Sequence, residues 1–446
     1  MDAVHIQGGM TLDGRVAVSG AKNAALPIMA ASLLAEGKVC LCGVPQLRDV
    51  ATLSAVLHRL GVRVTRDGAA SCWLETIDAK PTQASYRLVR RMRASFCVLG
   101  PLLARRGRAT VALPGGCSIG HRPVDLHLAG LARLGAEIKL HRGYVVARAD
   151  RLRGAEVNMT GPRGPSVTGT ANVMCAASLA RGTTIVRGAA CEPEVVDLAN
   201  FLNSLGARIL GTGTATLEIA GVDHLEQQRQ TAEFGYRIVP DRIEAATLLI
   251  AAAMTQGRVY VTGVVPQHLR GVQEVLHEVG TEVRFEQDRA EVVGTGVLRS
   301  FAVTALPYPG LPTDLQPLLV ALACVAQGRS TVGDDVFPER WKHVAELVRM
   351  GARIQRAGAQ VVVSGGNGIR LRAASVHAGD LRAAAALMLA GLAARGTTIV
   401  TGIKHLDRGY DGLDQKLNAL GARITRIDSA TAARDIPAPR LMPDYL

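Results

Sequence analysis

Apolar and polar residues alternate along the chain in a pattern that returns about every 70 residues. The pattern Leu-x-x-apolar-Gly-small-x-apolar occurs six times, beginning at Leu57, Leu131, Leu202, Leu276, Leu347 and Leu417. Self-similarity at a fixed period is the signature of one supersecondary unit used repeatedly. We therefore predict six copies of one unit.

A second pattern keeps the same period: small residues, a glycine and a short β-branched run, as in "ARGTTIVRG" and "ARGTTIVTG". Glycine commonly ends a helix, and β-branched residues favour a strand. Each unit is predicted as helix, strand, loop, helix ending in Leu-Gly, strand, turn and strand. The first helix of a unit, such as "NAALPIMAASLLA", is apolar on nearly all sides, which is typical of a buried helix. The pattern predicts an α/β fold with helices packed inside surrounding sheets.

The 446 residues are too many for one ordinary core, so six units divide plausibly into two groups of three. A polar stretch, "DHLEQQRQTAEFG", follows the third unit and is typical of a surface loop or linker. We place a domain junction after it, near residues 236–240. By this reasoning alone, the first twenty residues could belong to either half.

The eight cysteines lie mostly in apolar segments, and none forms a zinc-type cluster, so we expect neither a metal site nor a disulfide framework. The longest apolar runs fall far short of the roughly 20 residues that span a bilayer. The first ten residues have no basic region followed by an apolar one, as a secretory signal would. We expect a cytoplasmic protein without membrane insertion.

The formal net charge is +13, which is compatible with several kinds of anionic partner. The basic residues are scattered, and aromatic residues for base stacking are only 3% of the chain. This argues against nucleic acid. A small polyanionic substrate fits better.

Polar residues recur where the six buried helices are predicted to begin. They are Lys22, Asn23, Arg93, Ser166, Asp241, Arg242, Asp314, Asp380 and Arg382. Asp241 and Asp380 could simply be N-caps. A cation opposes the helix dipole, so Lys22, Arg93 and Arg382 are better explained as groups that bind an anion at the helix start.

The loops after the first strand of each unit carry further cations, among them Arg340 and Arg408. A single surface arginine is usually only solvated, but cations at equivalent positions of several units point the same way in space. One of these loops, "LPGGCSIGHRPVDLH", holds Cys117 beside two glycines. From the residues alone Cys117 is a reactive thiol, a metal ligand or a small apolar residue in a turn; the missing ligand spacing disfavours the metal.

Eight segments, in order, resemble the UDP-N-acetylglucosamine enolpyruvyltransferase (1-carboxyvinyltransferase) family: "SGAKNAALPI", "MRAS", "LPGGCSIGHRPVDLH", "EPEVVD", "PDRIE", "PTDLQ", "DLRA" and "DRGY". The resemblance implies two inside-out α/β barrel domains, each a pseudo-threefold arrangement of three units. One domain would span 22–239 and carry the Cys117 loop. The other would combine 1–21 with 240–446, and the active site would lie in the cleft between them.

The activity that the resemblance implies makes the first committed precursor of peptidoglycan. The enolpyruvyl group of phosphoenolpyruvate passes to the 3-hydroxyl of UDP-N-acetylglucosamine, and phosphate is released through a tetrahedral addition–elimination intermediate. Neither a metal nor an organic cofactor is implied. The expected partners are the two small molecules, phosphoenolpyruvate and a uridine nucleotide, with no nucleic acid and no obligate protein partner.

The resemblance also assigns residues. Cys117 would be the acid that protonates C3 of phosphoenolpyruvate, and it can also add covalently to that substrate. Asp314 would accept the proton of the attacking hydroxyl or chiefly orient that hydroxyl; Lys22 and Arg408 complete the expected catalytic set. The expected donor-binding cations are Lys22, Arg93, Arg122, Arg340, Arg382 and Arg408. The expected acceptor-binding residues are Asn23, Arg122, Pro123, Val124, Asp125, Leu126, Ser166, Val167, Asp314 and Val336.

Departures from the family pattern cluster on the acceptor side. Where the family generally has "SVGAT", this chain has "SVTGT", with Thr168 at the first glycine position. The usual Phe-Glu-x-Arg becomes "FPER", with Pro338 at the acidic position and Glu339 displaced by one. These changes fit ordinary variation, or a specialised relative that uses another uridine nucleotide, such as the 3′-hydroxyl of UMP in nucleoside-antibiotic synthesis.

Two other functions fit the sequence less well. A shikimate-phosphate enolpyruvyltransferase would share the fold, but that family lacks the "PGGC" and "RPVDL" segments. A catalytically inactive binding protein would be expected to lose Cys117, Asp314 or the arginines. This chain keeps all of them.

Overall fold

The computed structural model describes residues 2–68, 71–115, 123–227, 235–294, 296–366 and 370–428. Within these ranges the chain is mixed α/β. The α-helices are α1 Lys22–Ala31, α2 Arg48–Arg59, α3 Tyr86–Val89, α4 Leu99–Arg106, α5 Asp125–Arg133, α6 Val167–Ala177, α7 Pro193–Ser204, α8 Arg242–Met254, α9 Arg270–Val279, α10 Gln316–Ala323, α11 Lys342–Arg349, α12 Leu381–Ala393 and α13 Leu413–Ala419. Short 3-10 helices cover Ser32–Leu34, Arg93–Val98, Pro266–Leu269, Thr313–Leu315 and Ile403–Arg408.

The strands of the described ranges are short. They are β1 Ala3–Gln7, β2 Asp13–Ala17, β3 Ala35–Glu36, β4 Lys38–Cys42, β5 Val62–Asp67, β6 Ser71–Thr76, β7 Gln83–Ala84, β8 Arg108–Ala112, β9 Glu137–His141, β10 Tyr144–Arg148, β11 Glu156–Asn158, β12 Thr160–Gly161, β13 Gly164–Pro165, β14 Thr183–Arg187, β15 Arg208–Leu210, β16 Thr216–Ala220, β17 Leu225–Glu226, β18 Tyr236–Arg237, β19 Arg258–Thr262, β20 Glu282–Glu286, β21 Arg289–Val293, β22 Ala302–Ala305, β23 Gly328–Asp334, β24 Arg353–Ala357, β25 Gln360–Gly365, β26 Ser375–His377, β27 Thr397–Thr401 and β28 Arg423–Ile427.

Six four-stranded sheets share one pattern of strand order. The orders are β18-β4-β6-β5, β7-β8-β10-β9, β11-β14-β16-β15, β2-β19-β21-β20, β22-β23-β25-β24 and β26-β27-β1-β28. In the first sheet, β4 pairs parallel with β18 and antiparallel with β6. The predicted order of helix, strand, helix, strand, turn and strand is present in the first five units. In the sixth unit β1 takes the place of the last strand, so the sheet is still repeated six times.

The outer strand of each sheet comes from outside the unit that it completes. Strand β7 follows the first unit and joins the sheet of the second unit. Strand β11 follows the second unit and joins the sheet of the third unit. Strand β18 follows the third unit and returns to the sheet of the first. In the other half, β2 joins β19, and β1 lies between β27 and β28 in the sheet of the sixth unit. The N-terminal strands are thus part of the second group of units.

The glycines of the Leu-Gly repeat all have left-handed backbone. Gly61, Gly135, Gly206, Gly280, Gly351 and Gly421 have φ values between +79° and +98°. A side chain disfavours this conformation, whereas glycine adopts it readily at the end of a helix. The repeat therefore encodes six helix endings.

Two large clusters of apolar side chains form the interior. The N-terminal core runs from Ala21 to Ile238, and the C-terminal core combines Val4–Val16 with positions between Ile243 and Ile424. Helices α1, α4 and α6 pack in the first, and α8, α10 and α12 pack together in the second. All thirteen residues of α8 are buried, as predicted for the first helix of a unit.

The chain crosses between the two cores near residues 19–21 and 239–241. Gly20 and Pro240 form an antiparallel bridge. The Ala21 amide donates to the Val239 carbonyl at 2.7 Å, and the Asp241 amide donates to the Ser19 carbonyl at 2.9 Å. The two crossings therefore support each other.

A buried ion pair joins the cores beside these crossings. The Nε and Nη2 of Arg242, at the start of α8, donate to the two carboxylate oxygens of Glu194 in α7 at 2.9 and 3.1 Å. Both side chains are more than 90% buried. Removing one partner of such a pair leaves an uncompensated charge in the interior.

We predict that Glu194→Ala lowers the free energy of unfolding by about 3–5 kcal/mol, because Arg242 then remains buried without its counterion. Urea denaturation measures this. The double variant Glu194→Leu/Arg242→Met should recover much of the loss. Asp223→Ala, which removes the exposed partner of Arg151, is the control and should leave stability nearly unchanged. Equal losses from Glu194→Ala and the control would contradict the assignment.

Candidate active site

The predicted helix-start residues lie in ordered positions at the ends of the buried helices. Lys22 is the first residue of α1, and Arg382 is the second residue of α12. The Asp380 carboxylate accepts from the amides of Arg382 and Ala383 at 2.8 and 3.1 Å, so it caps α12. The cap fixes the backbone from which Arg382 extends.

N-capping also explains two further polar residues. Asp241 accepts from the amides of Ile243 and Glu244, and Ser166 accepts from the Gly169 amide. The capping interpretation of Asp241 and Asp380 is confirmed. The cations at the helix starts remain to be explained by another interaction.

Asp314 lies between two arginines. One carboxylate oxygen accepts from Arg340 Nη1 at 2.9 Å, and the other accepts from Arg382 Nη2 at 2.9 Å. Burial alone would raise the pKa of Asp314, but the charges and hydrogen bonds of Arg382 and Arg340 hold that pKa well below its ordinary value. Asp314 is therefore an ionised counterion in this arrangement.

Both arginines have donors left over. Arg340 is 4% exposed and Arg382 is 1% exposed. Within the described ranges, Nε of Arg340 and both Nε and Nη1 of Arg382 are buried without a hydrogen-bond partner. Buried charged donors are normally satisfied, so these three donor nitrogens point to an anion.

Asp334, at the end of β23, holds the segment that carries Arg340. It accepts from the Thr313 hydroxyl at 2.6 Å and from the amides of Val336 and Phe337 at 3.0 and 2.7 Å. Arg340 Nη1 in turn donates to the Thr313 carbonyl at 3.1 Å. One buried carboxylate thus fixes both the turn that bears Asp314 and the loop that bears Arg340.

The unusual "FPER" segment is accommodated in the same loop. The Pro338 carbonyl accepts from the Trp341 indole at 2.7 Å. The Glu339 side chain is mostly exposed and lies 3.5 Å from Arg356. Glu339 is therefore paired with a surface arginine rather than with Arg340 or Arg382.

Lys22 and Arg408 meet at a second carboxylate, that of Asp49. Arg408 Nε donates to one oxygen at 2.9 Å, and Lys22 Nζ lies 3.6 Å from the other. Burial lowers the pKa of Lys22, and the charges of Arg382 and Arg408 lower it further, while Asp49 and Asp314 oppose them. These mutual effects put Lys22, Arg382 and Arg408 in one electrostatic cluster. We call these three side chains and Arg340 the cation cluster.

Arg93 contacts the segment that precedes α5, and two further predicted donor-site residues lie beyond the described ranges. Arg93, at the start of a 3-10 helix, donates through Nη2 to the Pro123 carbonyl at 3.0 Å. Cys117 and Arg122, with His121 between them, lie outside the described residues.

The expected acceptor residues are spread over several elements. Asn23 is exposed on α1 beside Lys22, and Val336 is half-buried in the loop that Asp334 holds. Val124 and Leu126 are half-buried, and Pro123 and Asp125 are exposed, at the start of α5. Ser166 and Val167 begin α6, where Val167 is 36% exposed.

Thr168, the departure from "SVGAT", bonds to a buried histidine. Asn172 accepts from the Gly100 amide at 2.7 Å through Oδ1, so its Nδ2 is the atom 2.9 Å from His127 Nδ1. An amide nitrogen only donates, which makes Nδ1 the acceptor and puts the proton of the neutral ring on Nε2. That nitrogen is 3.0 Å from Thr168 Oγ1. The Thr168 hydroxyl accepts from His127, so its own hydrogen is directed elsewhere.

Several residues of this site were not assigned a role from the sequence. Asp49 was visible in the loop "GVPQLRDV", and Thr313 adjoins Asp314, but neither pattern shows which partner the side chain takes. Asp334 and Asn172 gave no signal, and Tyr410 ends the segment "DRGY" but was given no role. The Tyr410 ring lies under the Arg382 guanidinium, 5.0 Å from its central carbon.

Comparison with known proteins identifies the family. A family model described as EPSP synthase (3-phosphoshikimate 1-carboxyvinyltransferase) matches residues 6–417. The UDP-N-acetylglucosamine 1-carboxyvinyltransferase of Coxiella burnetii (strain RSA 493 / Nine Mile phase I) is 48% identical over 431 residues, which cover 96% of this chain and 97% of that protein. The protein of the same name from Methylacidiphilum infernorum is 46% identical and covers 96% of this chain and 100% of its own.

The chain belongs to the UDP-N-acetylglucosamine 1-carboxyvinyltransferase family.

Solved structures agree with this carboxyvinyltransferase assignment. The crystal structure of the enolpyruvyl transferase NikO from Streptomyces tendae superposes with a TM-score of 0.85 at 27% identity, covering 95% of this chain and 98% of that one. An EPSP synthase from Acinetobacter baumannii shares the fold, with a TM-score of 0.73 at 17% identity over 96% of this chain and 100% of its own. The family predicted from the eight motifs is confirmed, and the protein is an enolpyruvyl (carboxyvinyl) transferase.

None of the described helices is both long and apolar enough to cross a membrane. In the same parts of the chain, no group of three or more His, Cys, Asp or Glu side chains is arranged to hold a metal ion.

We predict that inorganic phosphate binds the cation cluster of this carboxyvinyltransferase and raises its Tm. A ligand at 100 times its Kd adds about 2.7 kcal/mol of stability. Arg408→Gln, at the least buried of the four cations, should weaken this phosphate-dependent rise in Tm, and Arg382→Gln should nearly abolish it. Each variant is compared with its own phosphate-free Tm by differential scanning fluorimetry.

The control for this experiment is Arg356→Gln, an exposed arginine paired with Glu339. It removes the same charge without touching the cation cluster, so its phosphate shift should match that of the unmodified chain. A shift of the same size in Arg382→Gln and Arg356→Gln would show that phosphate binds elsewhere.

Proposed function

We propose that this enzyme transfers the enolpyruvyl group of phosphoenolpyruvate to the 3-hydroxyl of UDP-N-acetylglucosamine and releases phosphate. The relatives that carry this substrate in their name match the chain at 46–48% identity over nearly its whole length. The resemblance implies that the product serves peptidoglycan synthesis. The substrates are two small molecules, and the reaction proposed here requires no metal, cofactor or protein partner.

We propose that the fold is a pair of inside-out α/β barrels, 22–239 and 1–21 with 240–446, with the active site in the cleft between them. The return of β18 to the first unit and of β1 to the sixth supports a ring of three units in each half. The two separate apolar cores support the same division. Contacts of Asp49 with Lys22 and Arg408 favour a site that takes groups from both halves.

The unpartnered buried donors of Arg340 and Arg382 are the observation that carries the donor assignment. Phosphoenolpyruvate bears a phosphate and a carboxylate, and guanidinium groups bind both in a planar, paired geometry. We assign Lys22, Arg340, Arg382 and Arg408 to this anion. Arg93 and Arg122 join them as expectations from the family resemblance.

The reaction then takes two steps. In the addition, the Cys117 thiol gives its proton to C3, the acceptor oxygen bonds to C2, and the hydroxyl proton goes to Asp314. In the elimination, C3 returns a proton to the Cys117 thiolate, and the C2–C3 double bond forms again. The C2–O bond to phosphate breaks, and phosphate leaves with the bonding electrons and takes up the proton that Asp314 held. Positioned cations stabilise the leaving phosphate.

Asp314 can act as a base only after its arginines are diverted. With both oxygens accepting from arginines, its lowered pKa makes it a weak base. An anion bound at Arg340 and Arg382 competes for those donors and raises the affinity of Asp314 for a proton. We propose that donor binding frees Asp314 to orient the acceptor hydroxyl and to accept its proton.

We propose that the acceptor lies between Asn23, residues 123–126 with Arg122, the start of α6 at Ser166 and Val167, and Val336. Asp125 is the polar side chain that recognises the uracil. Thr168 is compatible with this site because His127 holds its hydroxyl in a fixed orientation. The first amides of α6 and its dipole favour an anion such as a diphosphate.

The alternative acceptor is another uridine nucleotide, such as UMP at its 3′-hydroxyl. Its support is the similarity to the enolpyruvyl transferase NikO, which is 27% identical, together with the departure at Thr168. The higher identity to the UDP-N-acetylglucosamine enzymes favours the first acceptor.

We predict that phosphate is released from phosphoenolpyruvate in the presence of UDP-N-acetylglucosamine and much more slowly, if at all, with UMP. A coupled phosphate assay with each acceptor separately measures this. The opposite ranking would establish the alternative acceptor. If no phosphate is released with either nucleotide, both acceptor assignments are refuted.

A second prediction concerns catalytic roles. Cys117→Ala should abolish turnover near neutral pH and prevent inactivation by the epoxide fosfomycin, which alkylates this thiol in the family. Asp314→Asn should lower kcat by about 10²–10⁴-fold, the usual range for losing a general base. Steady-state kinetics measure both.

Two matched variants serve as controls. Cys191→Ala removes a half-buried cysteine whose pKa is raised by burial, and Asp335→Asn neutralises an exposed carboxylate near the Arg340 loop. Both should keep nearly full activity. Full activity in Cys117→Ala or Asp314→Asn would remove that residue from the mechanism.

A further inference from the structure

Asp49 is a buried carboxylate that contacts cations from both halves of the molecule. It is the second residue of α2 and is 4% exposed. Its partners are Lys22 at the start of α1, in the N-terminal half, and Arg408 in the C-terminal half, at 3.6 and 2.9 Å. A side chain that joins these two cations controls their separation.

The position of Asp49 is tied to the interface by more than these pairs. Helix α2 packs against the 3-10 helix Ile403–Arg408. The Gln46 amide, three residues before Asp49, donates to Asp411 at 2.9 Å across the same interface. Asp49 therefore has a fixed backbone from which to hold Arg408.

We propose that Asp49 is a positioning residue that aligns Lys22 and Arg408 across the cleft and keeps Lys22 charged for the anionic donor. The inference rests on the proposed function, because it gives Lys22 and Arg408 the task of binding phosphoenolpyruvate. Asp49 itself touches neither the reacting carbons nor the acceptor in this account. It acts through the two cations.

The charges around Lys22 give the reason that a carboxylate is needed. Arg382 from α12 and Arg408 from the 3-10 helix Ile403–Arg408 disfavour its protonated form, as burial does. Asp49 and Asp314 favour it, and Asp49 is the stronger of the two influences. The Asp241 carboxylate, at the start of α8, lies 3.4 Å from the Lys22 amide nitrogen.

The direction of the pH effect follows. The pKa of Lys22 is already lowered, and neutralising Asp49 removes the main influence that raises it. The amine would then lose its proton at a lower pH. Since only the charged amine attracts the donor, the alkaline limb of kcat/KM for phosphoenolpyruvate should move to lower pH.

A purely structural role for Asp49 makes a different prediction. A carboxylate in the first turn of a helix interacts favourably with the helix dipole. If this were its whole contribution, Asp49→Asn would lower Tm without moving the pH profile. The profile therefore separates the two roles.

The experiment compares kcat/KM for phosphoenolpyruvate as a function of pH in the unmodified enzyme, Asp49→Asn and Asp49→Glu. We expect Asp49→Asn to move the alkaline limb down by about one pH unit, the size of shift that one neighbouring charge commonly gives. Asp49→Glu restores the charge and should return most of the shift. An unmoved limb in Asp49→Asn overturns the proposal.

The matched control is Asp411→Asn. It neutralises an aspartate that also makes a polar contact across the interface, to the Gln46 amide, but does not pair with Lys22 or Arg408. Its pH profile should be that of the unmodified enzyme. An equal shift in Asp411→Asn would assign the effect to the interface in general. If Asp49→Asn does not fold, Asp49→Ser provides a second, smaller neutral side chain at the same position.

A direct titration separates this proposal from the proposed function. The chain has only seven lysines, so 13C NMR of lysine-labelled protein can follow Lys22, assigned with Lys22→Arg. A lower Lys22 pKa in Asp49→Asn supports the role of Asp49 even if neither nucleotide acts as acceptor. An unchanged Lys22 pKa contradicts it even if phosphate release proceeds as proposed.

Discussion

The structure depends on holding four positive side chains close together in a largely buried place. Lys22, Arg340, Arg382 and Arg408 would repel one another, and each loses hydration on burial. Asp314 pairs with two of them and Asp49 with the other two. Ordered helix starts and the buried Asp334 keep these groups in place before any substrate arrives. Such preorganisation is what electrostatic catalysis requires.

The same arrangement gives a physical account of how the site responds to its substrate. The two carboxylates offset only part of the charge of the four cations and leave buried donors on Arg340 and Arg382 without a partner. An incoming phosphate or carboxylate can satisfy those donors and compete with Asp314. The proposed base is thus weak while the donor is absent and becomes available when it binds. Formation of the tetrahedral intermediate requires that the donor is bound and that Asp314 is free to accept a proton at the same site.

Much of the fold could be predicted because its signals are local. A glycine after a helix and β-branched residues after that glycine fix the unit whatever surrounds it, and the left-handed backbone at Gly61 and Gly421 shows the result. The position of β1 could not be predicted in this way, because a five-residue strand can pair with any free sheet edge. The sequence pattern therefore did not assign the first twenty residues to either half, whereas in the structure β1 pairs with β27 and β28. Only the family resemblance placed it. The helix-start cations were also predictable from the repeat.

What the sequence could not supply was the pairing of charges. Asp49 and Asp241 both lie at helix starts, yet Asp241 caps its helix while Asp49 holds two cations. The difference arises from neighbours hundreds of residues away, such as Arg408. The same holds for Thr168, which bonds to His127, because the hydrogen bond from Asn172 determines which nitrogen of that histidine carries the proton. Such contacts depend on packing between units rather than on any local motif.

The most direct test of the cation cluster is a crystal structure of the protein with UDP-N-acetylglucosamine and inorganic phosphate. The account predicts phosphate oxygens within hydrogen-bond distance of Lys22 Nζ and of the buried donors of Arg340 and Arg382. At least one bond between Asp314 and these arginines should be broken. Phosphate bound elsewhere, with both pairs of Asp314 intact, would contradict the account.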